Sequence, residues 1–258
     1  FHASVLLHQA GPEELLLQLR EEARKRAHEE RVLLLDPRFF HALAATASGF
    51  AHATILPKRG RYRNELTQFR YDVVLHKSES SEIMECRWDP WSTACEAGAL
   101  STQVSTSAHL AIRGVPDARL AEARSLTTSW QSGDATTTVA EFRKQILEAG
   151  AAGIDPEDLW SLAADGDLDV TLLYDASSDD GRYNAVLRRF PNGNQSDLRI
   201  ADPPLPLELP ETDESWLVFA NNPARGHFVR SLASHLRSFL SARLPEYMVP
   251  SAFVELQS

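Results

Sequence analysis

The chain has 258 residues, 43% of them hydrophobic and 24% charged, which fits one large globular domain or two small ones and excludes fibrous, collagenous and wholly disordered classes. Thirty-six acids against twenty-six bases leave a formal charge of −10, which repels phosphate backbones and speaks against a nucleic-acid partner. A membrane-spanning helix needs roughly 18 to 20 apolar residues; runs such as Val32 to Leu35 and Trp216 to Ala220 are far shorter, so no membrane partner is expected.

A first helix is predicted from about Glu13 to Glu30, with Pro12 before it, acids in its first turn, and Leu15, Leu19, Ala23 and Ala27 spaced one turn apart. The second starts with Asp36 as cap and Pro37 after it, turns Phe39, Phe40 and Leu43 inward, and ends at Gly49. Two strand-like runs follow, Ala51 to Leu56 and Gln68 to His76, joined by the basic, polar stretch Pro57 to Thr67. Phe69, Tyr71, Val73 and Leu75 alternate with their neighbours at the period of a strand, so the pair reads as an antiparallel hairpin with a long loop.

Ser78 to Ser107 is polar, with Trp88 and Trp91 as its apolar anchors. Beyond it, His109 to Val115 reads as a strand, and Asp117 to Trp130 and Thr138 to Ala149 as helices, the latter opened by a Thr138–Glu141 capping box. Asp155 and Pro156 start a further helix that Gly166 ends. Val170 to Tyr174 and Arg182 to Arg189 form a second hairpin around the turn-rich Asp175 to Gly181. Ala201 to Ser215, with five acids, four prolines and no base, reads as an extended linker. A helix from Asn222 to about Arg243 and a strand from Ala252 to Leu256 close the chain. Arg70 to Leu75 resembles Arg182 to Leu187, which a shared strand pattern explains better than an internal repeat.

Self-sufficient catalytic signatures are missing: no glycine-rich nucleotide fingerprint, phosphate loop, Gly-x-Ser-x-Gly elbow or metalloprotease histidine pair occurs. Cys86 and Cys95 have no second pair with which to build a disulfide framework or a zinc site, and read as inert thiols in a reduced, cytoplasmic setting.

Two strings carry more. Asn64-Glu65-Leu66-Thr67-Gln68-Phe69-Arg70-Tyr71 resembles the Asn-Glu-Leu-Ser-x-Tyr-Arg-Tyr signature of methyltransferase domains embedded in nonribosomal peptide synthetases, with Thr for Ser and Phe for the first Tyr. Leu244-Pro245-Glu246-Tyr247-Met248-Val249-Pro250 resembles the signature of the small C-terminal subdomain of adenylation domains in the same enzymes. Phe1-His2-Ala3-Ser4-Val5 is similar to the family's segment after its fifth core strand. Gly114 to Leu120 and Asp155 to Trp160 are similar to its strings farther along.

The resemblance implies a mixed α/β fold in four parts. Residues 1–78 would be the C-terminal half of a class I methyltransferase-like sheet ending in an antiparallel hairpin. Residues 79–200 would be an α/β extension, 201–215 an acidic Pro-rich linker, and 216–258 the start of a small α+β adenylation subdomain. It implies a parent that activates an amino acid with ATP and magnesium, tethers it to the phosphopantetheine arm of a carrier-protein domain, and N-methylates it with S-adenosylmethionine. The partners would be that carrier protein and the remaining adenylation and methyltransferase segments. The opening Phe1 suggests a piece cut from a longer chain, upstream of which the family's cofactor loop lies, so the piece alone is expected to bind no cofactor and to be inactive.

Open α/β sheets bind ligands at the carboxyl edge of their strands. A loop between a sixth and a seventh strand would leave from that edge. Asn64 and Glu65 are therefore the candidate catalytic pair, Asn64 holding a carbonyl and Glu65 orienting or deprotonating an amine. Arg70, Tyr71 and His2 are the candidate substrate-edge residues. In the adenylation motif, Leu244, Pro245, Tyr247, Met248 and Pro250 are expected to pack the subdomain. The alternatives are a non-catalytic scaffold, in which Asn64 and Glu65 only cap the loop, and carbon methylation, which the adenylation motif disfavours.

Overall fold

The structure, a computed structural model, describes residues 1–77, 83–92, 100, 102–104, 109–132, 136–149, 153–164, 168–189, 199–201, 203, 208–250 and 253. Helices and strands mix as expected. Among the described residues no helix is long and apolar enough to cross a membrane.

Four helices form one layer: α1 (His2–Gln9), α2 (Leu16–His28), α5 (Ala121–Ser132) and α6 (Val139–Ala149). Leu6, Leu7, Leu16, Leu19 and Ala23 pack on Leu126, Val139 and Phe142. The helix predicted from Glu13 starts only at Leu16. Residues 12–15 form instead a turn and an isolated bridge that strap the start of α6: Val139 N donates to Glu14 O at 2.8 Å, Ala140 N to Pro12 O at 3.0 Å and Leu16 N to Thr137 O at 2.9 Å. Backbone groups given to α6 in this way are lost to a helix of their own. The predicted capping box is present, with Thr138 N donating to Glu141 Oε2 at 2.9 Å and Glu141 N to Thr138 Oγ1 at 3.3 Å.

Asp36 stands just before α3 (Arg38–Thr46), whose N-cap position is Pro37, and its Oδ1 accepts from Arg38 N at 2.8 Å, the bond predicted of a cap. The first hairpin follows: β1 (His52–Pro57) pairs antiparallel with β2 (Tyr71–His76), from His52 opposite His76 to Pro57 opposite Tyr71. Alternation places Ala53 and Ile55 against Ala44 and Phe40, with Tyr71, Val73 and Leu75 beside them. The strand predicted from Gln68 starts three residues later, because residues 65–69 wind into a short helix, α4 (Glu65–Phe69), capped by Asn64.

The polar region contributes two short strands, β3 (Ile83–Met84) and β4 (Trp88–Pro90), that its composition did not announce. The predicted strand and hairpin beyond it are β5 (His109–Pro116), β6 (Leu168–Tyr174) and β7 (Arg182–Arg189), in a sheet of order β4-β5-β7-β6. Within this sheet, among the described residues, only β4 and β5 run parallel. A 3₁₀ turn at Ala118–Leu120 opens the helix expected from Asp117. Gly166, expected to end helix α7 (Pro156–Ala164), lies outside the described residues.

Leu159 of α7 and Ile154 cover one face of the sheet, over Ile112, Val115, Leu172 and Leu187. The opposite face, with Ala111, Leu173 and Val186, meets Ile200 of β8 (Arg199–Ile200), Met84 and Leu56 of β1. Tyr174 joins the hairpin's own cluster. Hairpin and extension thus share apolar contacts.

The predicted linker ends in structure. Thr212 and Ser215 form a capping box on a 3₁₀ helix, Asp213–Phe219, and Asp36 N donates to Phe219 O at 2.7 Å. Helix α8 (Arg225–Ser241) and a 3₁₀ turn at Glu246–Met248 follow. The strand predicted at 252–256 lies outside the described residues apart from Phe253.

Candidate functional site

The loop leaving β1 turns back through α4, whose start is fixed locally. Asn64 Oδ1 accepts from Thr67 N at 3.1 Å, while Thr67 Oγ1 accepts from Asn64 N at 3.2 Å and donates to Tyr62 O. This satisfies two donors that a helix start otherwise leaves open. The side-chain carbonyl of Asn64 is therefore committed to the cap, and its amide nitrogen is the part available to a carbonyl ligand. Glu65 is half-exposed and pairs with Arg70 at 2.5 Å. A paired carboxylate keeps acceptor capacity for an amine N–H, so orienting an amine is compatible with this pair. Deprotonating one requires the pair to loosen.

Two adjoining clefts open on this side of the hairpin. The larger, about 530 Å³, runs between the start of β2, α1, α5 and the turn from β6 to β7, and takes in Arg70, Tyr71, Tyr174, Arg124 and Asp180. The second, about 460 Å³, takes in Glu65, Arg63 and His8. Phe1, Ser4, Gln68, Phe69 and Ala123 belong to both, and Phe1 meets Phe69 edge-on at 5.6 Å. Both clefts lie on the side of the short helix α4, and the larger one reaches the start of β2.

Tyr71 sends its hydroxyl to Leu35 O at 2.5 Å. Burial pushes its pKa up to about 12, and does the same to Tyr174. Tyr71 is therefore a neutral donor near neutral pH, a wall and a hydrogen bond rather than a base. On the β6–β7 turn, Arg182 and Ser178 hold the Asp180 carboxyl below the usual range against the opposing effect of its burial.

The structure thus gathers Glu65, Arg70 and Tyr71 on adjoining clefts, with Asn64 at the cap behind them. His2 is not among the lining residues; it faces Glu30, with Nε2 3.0 Å from Oε2. The adenylation-motif residues lie apart from the clefts. Tyr247 is 82% and Met248 53% exposed, and Leu244 is also exposed. The packing expected of them is not seen among the described residues, whose only element at that point is a single 3₁₀ turn carrying no buried residue. Cys86 is half-buried and burial pushes its thiol up, which lowers its reactivity; Cys95 lies outside the described residues.

Sequence reasoning missed the residues that hold the loop. Arg59 and Arg61 of the loop meet Glu157 and Asp158 of α7, and Arg119 reaches the loop's carbonyls. A signal existed: the basic run Lys58 to Arg63 complements the acids in the first turn of α7. Among the described residues, no group of His, Cys, Asp and Glu could hold a metal ion.

No family model matches the chain. Over 99% of its length it is 32% identical to part of chondramide synthase from Chondromyces crocatus, of which that part is 6%. It is 28% identical over 97% of its length to part of cyclosporin synthetase from Tolypocladium inflatum, covering 2% of that enzyme. It is 26% identical over 98% of its length to PF 1022-synthetase from Rosellinia sp., covering 8%. The chain therefore spans less than a tenth of each of these relatives. Along nearly its whole length, this chain is a homologue of one segment of the nonribosomal peptide synthetases.

Proposed function

We propose that the chain works within a cytoplasmic peptide synthetase that activates an amino acid with ATP, tethers it to a carrier protein and methylates its nitrogen with S-adenosylmethionine. Residues 1–78 are read as the closing part of the methyltransferase sheet, 79–200 as its extension, 201–215 as the link, and 216–258 as adenylation subdomain. One observation carries this reading: the loop bearing the Asn64-Glu65 signature leaves the hairpin beside clefts that Glu65, Arg70 and Tyr71 help to wall.

The residues present do not fit a pocket for S-adenosylmethionine. The described glycines with positive φ, Gly49, Gly60, Gly114, Gly153 and Gly181, stand singly and none belongs to a glycine-rich strand-to-helix loop. In this reading the cofactor is held by other parts of the synthetase, and the chain alone binds none. Its own task is to receive the acceptor. Phe69 and Tyr71 wall the aminoacyl group, the Asn64 amide holds its carbonyl, and the Glu65 carboxylate accepts from the amine and orients it. The Arg70 partner holds the Glu65 carboxylate in place for that purpose.

The capping box and the Glu65–Arg70 pair also favour a second reading, a scaffold whose loop is only pinned. Product mass decides. The intact synthetase is supplied with a labelled methyl donor and its product is fragmented. Label on a backbone nitrogen is expected; label on carbon overturns the proposal in favour of carbon methylation, and no label overturns it and leaves the scaffold.

A further inference from the structure

The loop that carries Asn64 and Glu65 is held less by its own hairpin than by the extension. Arg119 is 2% exposed. Its guanidinium binds both carboxylate oxygens of Asp117, with Nη2 2.8 Å from Oδ2 and Nε 3.1 Å from Oδ1, and its Nη1 donates to Lys58 O at 2.8 Å and Gly60 O at 3.3 Å. A buried guanidinium is stable only when paired and hydrogen-bonded throughout, and here the loop's carbonyls supply what Asp117 does not. In return, Gln68 Nε2 donates to Arg119 O at 2.6 Å.

A second anchor stands beside the first. Glu157, 8% exposed, accepts from Arg59 Nε at 2.8 Å, Arg59 Nη2 at 3.1 Å and Gly60 N at 2.6 Å. The Arg59 guanidinium lies 4.4 Å over the ring of Trp160. Arg61 reaches Asp158 Oδ1 at 2.6 Å and Ser161 Oγ at 2.8 Å. Bidentate, partly buried pairs of this kind fix geometry where exposed single pairs do not. Residues 58–61 and 68 are thus tied at both ends, and the span between them bears Asn64 and Glu65. Glu157 and Asp158 line neither cleft.

We infer that Glu157 is a positioning residue for methyl transfer. It sets where the loop presents Glu65, and it acts through the loop backbone without lining either cleft. This rests on the methyl-transfer reading above and adds a role for residues 109–189 within it.

The test uses the intact synthetase carrying Glu157→Ala, Glu157→Gln or the exposed Arg61→Ala. Methyl transfer is measured on an aminoacyl thioester of N-acetylcysteamine, alongside ATP–pyrophosphate exchange and amide exchange of residues 58–68. Displacing a reacting group by about 1 Å can cost up to about a hundredfold. Glu157→Ala is expected to slow methyl transfer about tenfold or more and to deprotect the loop, with pyrophosphate exchange within about twofold of wild type. Glu157→Gln, which keeps an acceptor for Gly60 N, recovers part of the rate, and Arg61→Ala, which leaves the buried anchors intact, loses less. Unchanged methyl transfer in Glu157→Ala, with or without a deprotected loop, overturns the inference. If Glu157→Ala loses pyrophosphate exchange as well, Glu157→Gln decides on the same criterion. A wild-type enzyme that transfers no methyl overturns the methyl-transfer reading itself, an outcome distinct from a normal wild type with indifferent variants.

Discussion

Gly153→Ala reaches the loop from the farthest point of the network. Gly153 has φ +122°, and a Cβ there would stand 2.0 Å from Pro116 O and 2.8 Å from Pro116 C. Neither atom is a flexible side-chain end, so the strap at 153–154 must leave β5. Two backbone bonds go with it, Ile154 N to Pro116 O at 3.1 Å and Ala118 N to Ile154 O at 3.2 Å, and the buried Tyr183 hydroxyl is drawn off Ile154 O, which it meets at 2.9 Å. The disallowed backbone costs about 1 to 3 kcal/mol, and the two bonds about 1 kcal/mol each. A loss of about 3 to 5 kcal/mol lowers Tm by about 2 to 4 °C per kcal/mol in a chain of this size, that is by about 6 to 20 °C. Ile154 also leads into the first turn of α7, so the Glu157 anchor loosens before the sheet melts. Circular-dichroism melts of wild type and variant, with amide exchange of residues 58–61, provide the assay. A Tm within about 2 °C of wild type, with the loop still protected, would refute the reasoning.

Acid should release the loop. Hydrogen bonds from Arg59, followed by Gly60 N, hold the Glu157 carboxyl below its ordinary value of 4.5 against the opposing effect of burial. A depressed folded-state pKa contributes stability that is complete above the unfolded value and is lost as pH falls through the folded one. Intrinsic-rate-corrected protection of the Gly60 amide is therefore expected to hold from pH 7 to about 5 and to decline below about 4; protection unchanged at pH 3 contradicts the anchor. In the helical layer, Phe142 is 1% exposed, so Phe142→Ala should destabilise the chain by about 3 to 5 kcal/mol in urea unfolding. A loss below about 1 kcal/mol would mean that α6 does not pack on α1 and α2 as described.

What the sequence disclosed was mostly local. The Thr138–Glu141 box, the Asp36 bond at the start of α3 and the strands β1, β5 and β7 are written within a few residues, and the structure reproduces them. The similar runs Arg70–Leu75 and Arg182–Leu187 both fall in hairpin strands, apart from Arg70, which precedes β2. Errors arose where two local signals competed. Phe69, Tyr71, Val73 and Leu75 alternate at the period of a strand, with Val74 as one extra apolar residue, yet Asn64 and Thr67 form a cap that draws Gln68 and Phe69 into α4. Glu13 and Glu14 look like a first helical turn, but their backbone belongs to a strap on α6.

The candidate site was legible as a string and not as an assembly. Glu65, Arg70 and Tyr71 were named from their motif, while Arg119 and Glu157 stand about 50 to 100 positions away and join the loop only in three dimensions. Both lie in strings, Gly114 to Leu120 and Asp155 to Trp160, that had registered only as family likeness. A physical reason for those strings is now at hand: they hold the loop.

The central claim, that this loop serves methyl transfer to nitrogen, is tested most directly by the labelled-methyl assay run on the intact synthetase beside its Glu65→Gln variant, with ATP–pyrophosphate exchange as control. The account predicts label on the product's nitrogen in the wild type, and a rate at least about tenfold lower in Glu65→Gln with amino-acid activation unchanged, the loss typical of a group that positions a proton in the reaction. Equal labelling by wild type and variant would contradict it, as would a wild-type product that carries no label on nitrogen.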